Sequence, residues 1–331
     1  MSSRYKVKIG TAVASEGEIG RGCLTVGRRR DSTELLVPVT VIVGKTRGPT
    51  VWIQAAIHGD ERAGAAAILE LIRHVSPNRL AGTLVCVPVV NTVAYENDSR
   101  SASVDNKDMN RVIPGNPNGT YSEQVASVLI AHVFDTASHV LDLHVGSHRE
   151  CTYQVLYRDL ETNASKEARG WAEDMGAPVI WASREAELRD SVLHVATERG
   201  IPSLVLEMGG GRISRYLADI EEVLLNALRA LGMITGIIEL PQERLYVNNW
   251  HRVYCRKGGG ILEPVREPGN IVQAGEVLGN IISLHGEVVE TLRSPSGPSF
   301  IRRMAKSYCP LAIGEQAFAL LSIVDRKKAK G

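Results

Sequence analysis

Two short motifs in the sequence combine side chains that could bind a metal ion. His58 and Glu61 are three positions apart, and Asp142 and His144 are two positions apart. Imidazole nitrogens and carboxylate oxygens are both good ligands for zinc. The first motif could instead be a helix N-terminus in which the acidic residue favours the helix dipole. The second could be a simple Asp–His hydrogen bond at the end of a sheet, so spacing alone leaves both alternatives open.

Predicted strands carry both motifs. The apolar run 51–57 ends directly before His58, and the strand-like run 140–146 contains Asp142 and His144. Positions i and i+2 of a strand point to the same face, so the second pair leaves its strand together. Because burying an unpaired carboxylate and imidazole costs several kcal/mol, this pair needs a partner. A metal ion satisfies that need when the carboxylate holds a ligand imidazole.

A third candidate is Glu207, which ends the strand-like run SLVLE and precedes Met208 and three glycines. A carboxylate at a strand tip suits a general base that acts on water activated by a metal. The alternative is a solvated strand-end glutamate. His58, Glu61 and His144 would give three protein ligands and leave one open position, as expected of a catalytic zinc site.

The elements that must position these residues alternate between strand-like and helix-like segments from about residue 36 to about residue 235. Five apolar runs predict strands, at 35–44, 51–57, 84–90, 140–146 and 203–211. Helical periodicity predicts helices at 61–75, 122–137 and 216–234. We therefore expect a mixed, mostly parallel sheet flanked by helices, an α/β fold with a long polar loop over 91–120.

The composition and the hydrophobic pattern of the sequence change near residue 247. Residues 253–323 are rich in glycine and proline, have short alternating runs and contain no convincing helix. Closely spaced turn signals predict a small all-β module. We expect two domains, a catalytic α/β domain at 1–245 and a small β domain at 246–331.

The composition excludes several classes of protein. The 331 residues are 44% hydrophobic and carry a net charge of +1, so no strong field attracts nucleic acid or anionic lipid. Five scattered cysteines without a Cys-x-x-Cys pair argue against a disulfide framework and favour a reducing compartment. Because a signal peptide and an apolar run of membrane-spanning length are both missing, we expect a cytoplasmic protein without a membrane partner.

Four sequence blocks follow one another in the chain: GPTVWIQAAIHGDERAG, DMNRVIPG, DLH and, about 60 residues later, LEMGGG. In this order they resemble the zinc carboxypeptidase superfamily, and most closely its succinylglutamate desuccinylase/aspartoacylase family. The similarity covers roughly residues 35–235. It extends to the β module, because family members also carry a C-terminal β domain. The resemblance therefore implies the same fold class as the element pattern.

The resemblance also implies roles for residues of these blocks. His58, Glu61 and His144 would bind one zinc ion per chain. Glu207 would activate the attacking water and then pass the proton to the leaving amine. Asp142 would steady a ligand histidine.

Substrate contacts follow from the DMNR block. Asn110 and Arg111 occupy the positions that hold a substrate carboxylate in the family, and arginine is suited to clamp a carboxylate with two hydrogen bonds. Read without the resemblance, the same two residues could simply fix the turns of their loop. Tyr308 is a further candidate contact.

The implied activity is hydrolysis of the acyl amide of a small-molecule N-acyl amino acid, by a chain that could form a homo-oligomer. Within the family the chain also resembles deacetylases of ectoine breakdown that act on N-acetyl-diaminobutyrate. One rival interpretation is a carboxypeptidase that releases C-terminal residues. The other is a protein that binds a metal or a ligand without catalysis, although an intact Glu207 argues against it.

The β module resembles a barrel-sandwich hybrid of the lipoyl or biotinyl type. Paired half-motifs, GGGILEPVREPGNIVQAGEVLGNI and GEVVETLRSPSG, carry this resemblance. A lysine-bearing hairpin that would accept the prosthetic group is not apparent. The module is therefore expected to be structural and to shape the entrance to the site.

Overall fold

In the computed structural model of the chain, residues 5–146, 149–150, 152–210 and 217–328 are described. Cys151 lies outside them, and the other four cysteines are free. Within these ranges no helix combines the length and the apolar character that crossing a membrane requires.

Five strands come first, helices are then interspersed among strands to residue 230, and strands alone follow in the described ranges. The α-helices of the described ranges are α1 (Ala63–His74), α2 (Thr92–Glu96), α3 (Tyr121–Thr136), α4 (Asn163–Asp174), α5 (Val192–Glu198) and α6 (Leu217–Ala230). The strands are β1 (Lys6–Ile9), β2 (Ala12–Ser15), β3 (Ile19–Arg28), β4 (Glu34–Val43), β5 (Thr46–Ala55), β6 (Ala81–Val87), β7 (His139–Gly146), β8 (Arg149–Glu150), β9 (Gln154–Arg158), β10 (Val179–Ser183), β11 (Ser203–Gly210), β12 (Glu243–Tyr254), β13 (Gly260–Pro264), β14 (Ile271–Val272), β15 (Val277–Ile282), β16 (Val288–Arg293), β17 (Ser299–Met304), β18 (Pro310–Leu311) and β19 (Gln316–Lys328).

One mixed sheet forms the centre of the molecule, with strand order β3-β4-β6-β5-β7-β11-β9-β10. β5 runs parallel to β6 and β7, and β7 runs parallel to β11. β9 is antiparallel to β11 but parallel to β10. The carboxyl ends of β5, β7 and β11 therefore meet at one edge of the sheet, where α/β folds place their ligands.

Helices cover both faces of this sheet. Adjacent residues of a strand point to opposite faces, so Ile53 packs in the core under α1, α4 and α6. Its neighbour Trp52 packs in the core against α3 and α5. Burial on both faces explains why the strands read as continuous apolar runs. The predicted fold class, a mixed sheet flanked by helices with a strand-rich C-terminal region, is confirmed.

The C-terminal region extends the same sheet. β12 pairs in parallel with β10 and antiparallel with β19, and β19 continues to β17 and β14. A separate four-stranded sheet has the order β16-β15-β13-β18. Residues 253–323 contain no α-helix, as predicted. β12 crosses the predicted domain boundary between residues 245 and 246, so the division into two domains stays a prediction.

Candidate metal centre and cavity

A sharp turn after β5 places His58 at the carboxyl edge of the sheet. Ala56 has a positive φ of 50°, which turns the chain out of the strand. Gly59 lies against α2, where a Cβ atom would stand 2.0 Å from the carbonyl carbon of Ala94. Only glycine fits this close approach, so the glycine after His58 fixes the path of the turn.

Glu61 precedes helix α1 and does not lie in its first turn. The sequence predicted a helix that begins near Glu61, but α1 begins at Ala63 and has no acidic residue in its first turn. The backbone N–H of Glu61 donates to the carbonyl of His58 at 3.2 Å and closes the turn. The carboxylate accepts a hydrogen bond of 2.9 Å from the backbone N–H of Val145 on β7.

His58, Glu61 and His144 converge at the sheet edge. Their ligand atoms all lie within 4.8 Å of one another, and the three residues are buried. His58 Nδ1 is 2.8 Å from Oε1 of Glu61, and His144 Nδ1 is 2.9 Å from Oε2 of the same carboxylate. The structure therefore brings together the three predicted ligands as a candidate metal site.

Each of the two histidines has a second carboxylate on its other ring nitrogen. His144 Nε2 lies 3.1 Å from Oδ2 of Asp142, which is fully buried. His58 Nε2 lies 3.0 Å from Oδ1 of Asp108, a residue to which the sequence motifs assigned no role. The sequence did contain one signal for Asp108, which is the first residue of the DMNR block. Ligand histidines normally donate to a carboxylate, so an acidic residue in that block was a candidate partner for His58.

The donor set fits a divalent cation. A neutral imidazole carries a single N–H, yet carboxylates face both nitrogens of His58 and of His144. Without a cation, both buried rings would have to carry two protons. A cation held by His58, Glu61 and His144 would instead leave one N–H on each ring to donate to an aspartate.

Electrostatics within the cluster point the same way. Burial lowers the pKa of His58, but its bonds with Asp108 and Glu61 outweigh this and hold the pKa above its ordinary value. Burial also lowers the pKa of His144, and Asp142 and Glu61 raise it well above the ordinary value. Burial raises the pKa of Glu61, but the two histidines bring it far below the usual range. The cluster therefore favours positive charge among its carboxylates.

Asn110 and Arg111, the two candidate substrate contacts in the DMNR block, have different surroundings. They lie in the 3₁₀ turn Met109–Arg111. The carboxamide of Asn110 is buried, with Nδ2 3.3 Å from His144 Nε2 and Oδ1 accepting a 3.0 Å bond from the N–H of Val192. Arg111 lines the cavity and donates from one guanidinium nitrogen to the carbonyl of Asn110 at 2.8 Å. Arg111 therefore has donors left to offer a ligand, whereas the carboxamide oxygen of Asn110 is taken up by the N–H of Val192.

Glu207 lies next to the metal ligands on the adjacent strand. In the parallel pairing of β7 and β11, Glu207 is the register partner of His144. Its side chain is partly exposed, lines the same cavity and pairs with Arg302, with Oε2 3.1 Å from a guanidinium nitrogen. The structure therefore places the predicted base beside the candidate metal site.

A cavity of about 130 Å³ is lined by these residues and by Trp250, Arg302 and Arg303 of the C-terminal region. Its lining includes several arginines, namely Arg100, Arg111, Arg302 and Arg303. Trp181 and Trp250 form an apolar part of the wall. Tyr308, the further candidate contact, is 68% exposed and does not line the cavity.

Arg100 is another cavity residue that the motifs did not reveal. One guanidinium nitrogen is 2.8 Å from Oδ2 of Asp108, and the other is 3.4 Å from Oε1 of Glu61. Its side chain is about half exposed, at 48%. Arg100 therefore connects Asp108, which is the second carboxylate partner of His58, to the exposed part of the cavity.

Comparison with known proteins gives one matching family and several relatives. Residues 47–231, more than half of the chain, match the succinylglutamate desuccinylase/aspartoacylase catalytic domain. An N-alpha-acetyl-L-2,4-diaminobutyric acid deacetylase from Halomonas elongata is 27% identical over 258 residues. That alignment covers 76% of this chain and 75% of the relative.

Solved structures extend the likeness to nearly the whole chain. A succinylglutamate desuccinylase/aspartoacylase from Rhodobacter sphaeroides has a TM-score of 0.82 at 26% identity, covering 92% of this chain and 96% of that one. A succinylglutamate desuccinylase from Silicibacter sp. TM1040 has a TM-score of 0.84 at 20% identity, covering 97% and 98%. The second likeness concerns the fold alone, and it includes the C-terminal strands.

Proposed function

This chain belongs to the succinylglutamate desuccinylase/aspartoacylase family, and from that premise we propose that it is a zinc-dependent hydrolase that removes the acyl group from an N-acyl amino acid. One observation carries the proposal: His58, Glu61 and His144 converge beside Glu207 in one cavity. The deacetylase from Halomonas elongata supports the reaction class, because its name describes removal of an acetyl group from an amino acid.

His58, Glu61 and His144 would hold the zinc ion. Two imidazoles and one carboxylate are a ligand set of catalytic zinc enzymes and leave a coordination position open. When bound, zinc would polarise the amide carbonyl and lower the pKa of water at the site. Asp108 and Asp142 accept from the outer nitrogens of the two histidines and so fix the orientation of both rings.

Glu207 is the proposed general base. Its carboxylate accepts a proton from the attacking water as the water oxygen bonds to the amide carbonyl carbon. The carbon–nitrogen bond then breaks, and Glu207 returns the proton to the leaving amine nitrogen. The products are a carboxylate and a free amino acid, so one water molecule balances the reaction.

The cavity arginines are the proposed substrate contacts. Arg111 can clamp the α-carboxylate of the amino-acid half with two parallel hydrogen bonds. Arg100, beside Glu61, can donate to the carbonyl oxygen as negative charge builds on it. The free cysteines of the described ranges support a cytoplasmic location.

The experiment is a hydrolysis screen of the full, zinc-loaded chain. N-acetyl and N-succinyl amino acids are compared with peptides that have a free C-terminus, and the released amine is measured. We expect amine release from an N-acyl amino acid, lost on chelation and restored by zinc. Faster release from the peptides would favour a carboxypeptidase. Zinc binding without any hydrolysis would favour a protein that only binds metal or ligand.

A further inference from the structure

We propose that Arg302, from the C-terminal strand β17, is the positioning residue of Glu207. In this role it holds one carboxylate oxygen of Glu207 and leaves the other facing the cavity. The inference rests on the proposed function, because the role of Glu207 as base belongs to that proposal. It assigns the C-terminal region a part in catalysis beyond covering the site.

The ion pair itself is the first observation. A guanidinium nitrogen of Arg302 is 3.1 Å from Oε2 of Glu207, and the two side chains are 4% and 18% exposed. A guanidinium this deeply buried needs a nearby negative charge, because an uncompensated buried charge is strongly destabilising. Screening by water is weak at such burial, so the pair restrains Glu207 more firmly than a surface ion pair would.

Two tryptophan rings also contact the guanidinium of Arg302. The guanidinium carbon of Arg302 lies 5.4 Å from the ring centroid of Trp181 and 5.7 Å from that of Trp250. The two indoles meet edge to face, with centroids 5.6 Å apart and planes at 86°. The distances from the guanidinium carbon to the two ring centroids are within the range of a cation–π interaction. The guanidinium is therefore fixed before any substrate enters.

A general base at a strand tip needs such a restraint. The glutamate side chain has three rotatable bonds, and proton transfer requires the carboxylate within hydrogen-bond reach of the water. A misplacement of about 1 Å can cost about 100-fold in rate. Arg302 contacts Glu207 from the C-terminal region, whereas His144, the register partner of Glu207, lies on the neighbouring strand β7.

The alternative is that this pair only fastens the C-terminal region to the catalytic sheet. A matched contact of that kind exists elsewhere, where Arg244 on β12 donates to the backbone carbonyl of Glu173 at 2.6 Å, at the end of α4. Arg244 does not line the cavity, so Arg244→Met is the control for a lost fastening contact.

The first test compares Arg302→Met with Arg244→Met in the full zinc-loaded chain. We expect Arg302→Met to lower kcat by about 10- to 100-fold while KM and zinc content change little. Arg244→Met should lower Tm and leave kcat unchanged. Arg302→Lys should recover only part of the rate, because an ammonium lacks the planar fork of the guanidinium. If Arg302→Met does not fold, the kcat of Arg302→Lys decides the same question.

The second test is a double-mutant cycle with Glu207→Gln. If Arg302 acts through Glu207, adding Arg302→Met to Glu207→Gln should cause no further loss of kcat. If the kcat losses of the two single variants multiply in the double variant, or if Arg302→Met changes only KM, Arg302 acts on the substrate. Either result would overturn the inference. Full kcat in Arg302→Met beside an active wild type would overturn this inference alone. An inactive wild type would overturn the proposed function, and this role with it.

Discussion

The two walls of the cavity are built in different ways. The metal wall is polar, buried and local, because His58 and Glu61 share one turn and His144 lies on a neighbouring strand. The opposite wall combines tryptophans with arginines from distant segments and includes Trp250 and Arg302 of the C-terminal region. One wall therefore holds groups that can bind a metal, and the other contacts the proposed base.

This difference shows what completes the site. The metal wall needs only the parallel strands β5 and β7. The opposite wall needs β12 to pair with β10 and β17 to pair with β19, which brings residues more than 90 positions after Glu207 against it. The C-terminal strands thus contribute residues to the cavity.

Removing the proposed base is expected to have the largest effect on kcat. Because zinc content should not change, this variant separates the role of the base from that of the metal wall. Glu207→Gln should reduce kcat on an N-acyl amino acid by about 10²–10⁴-fold, because the amide keeps the size of the side chain but cannot accept the proton. Elemental analysis should show wild-type zinc content, since Glu207 is not among the proposed ligands. Near wild-type turnover would show that another group takes the proton.

Arg111 tests the substrate contact at the metal wall. Arg111→Ala should reduce kcat/KM by about 10- to 100-fold, since a charge-assisted hydrogen bond contributes about 1.5–3 kcal/mol. Converting the substrate carboxylate to an amide should harm the wild type far more than the variant. The control is Arg62→Ala, which removes a surface arginine paired with Asp98 at 3.1 Å. Equal losses with both substrates would mean that Arg111 holds its loop.

Asp108 tests the carboxylate that the sequence motifs did not reveal. Asp108→Asn should weaken zinc affinity by about 10- to 100-fold, because a neutral carboxamide oxygen accepts from His58 more weakly than a carboxylate and orients its ring less firmly. Competition with a zinc chelator measures this. Asp105→Asn is the matched control, because Asp105 lies in the same loop and accepts from Ser122 at 2.8 and 2.9 Å. Equal zinc affinity in both variants would contradict the orienting role.

Much of the metal wall could be predicted because its signals are local. Polar residues at the ends of apolar strands mark His58 and His144, and the α/β pattern brings those strand ends together. The start of α1 was predicted too early. Its N-cap residue, Arg62, makes no side-chain capping hydrogen bond, so the sequence has no capping signal at that point.

The opposite wall could not be predicted, for a physical reason. Trp181 and Arg302 come together through pairing of strands far apart in sequence, and no local pattern records which strands pair. β17 is buried at five of its six positions and carries two adjacent arginines, so no alternation in its sequence marks Arg302 as the partner of Glu207. The strand β10, which carries Trp181, was also absent from the predicted elements.

The zinc content of purified protein tests the central claim most directly. Wild-type chain dialysed after zinc loading should retain one zinc ion per chain, and His58→Ala should lose it. His74→Ala serves as the control, since His74 is exposed and pairs with Glu221 away from the site. Full zinc retention in His58→Ala, or no retention in the wild type, would contradict a metal site built on His58, Glu61 and His144.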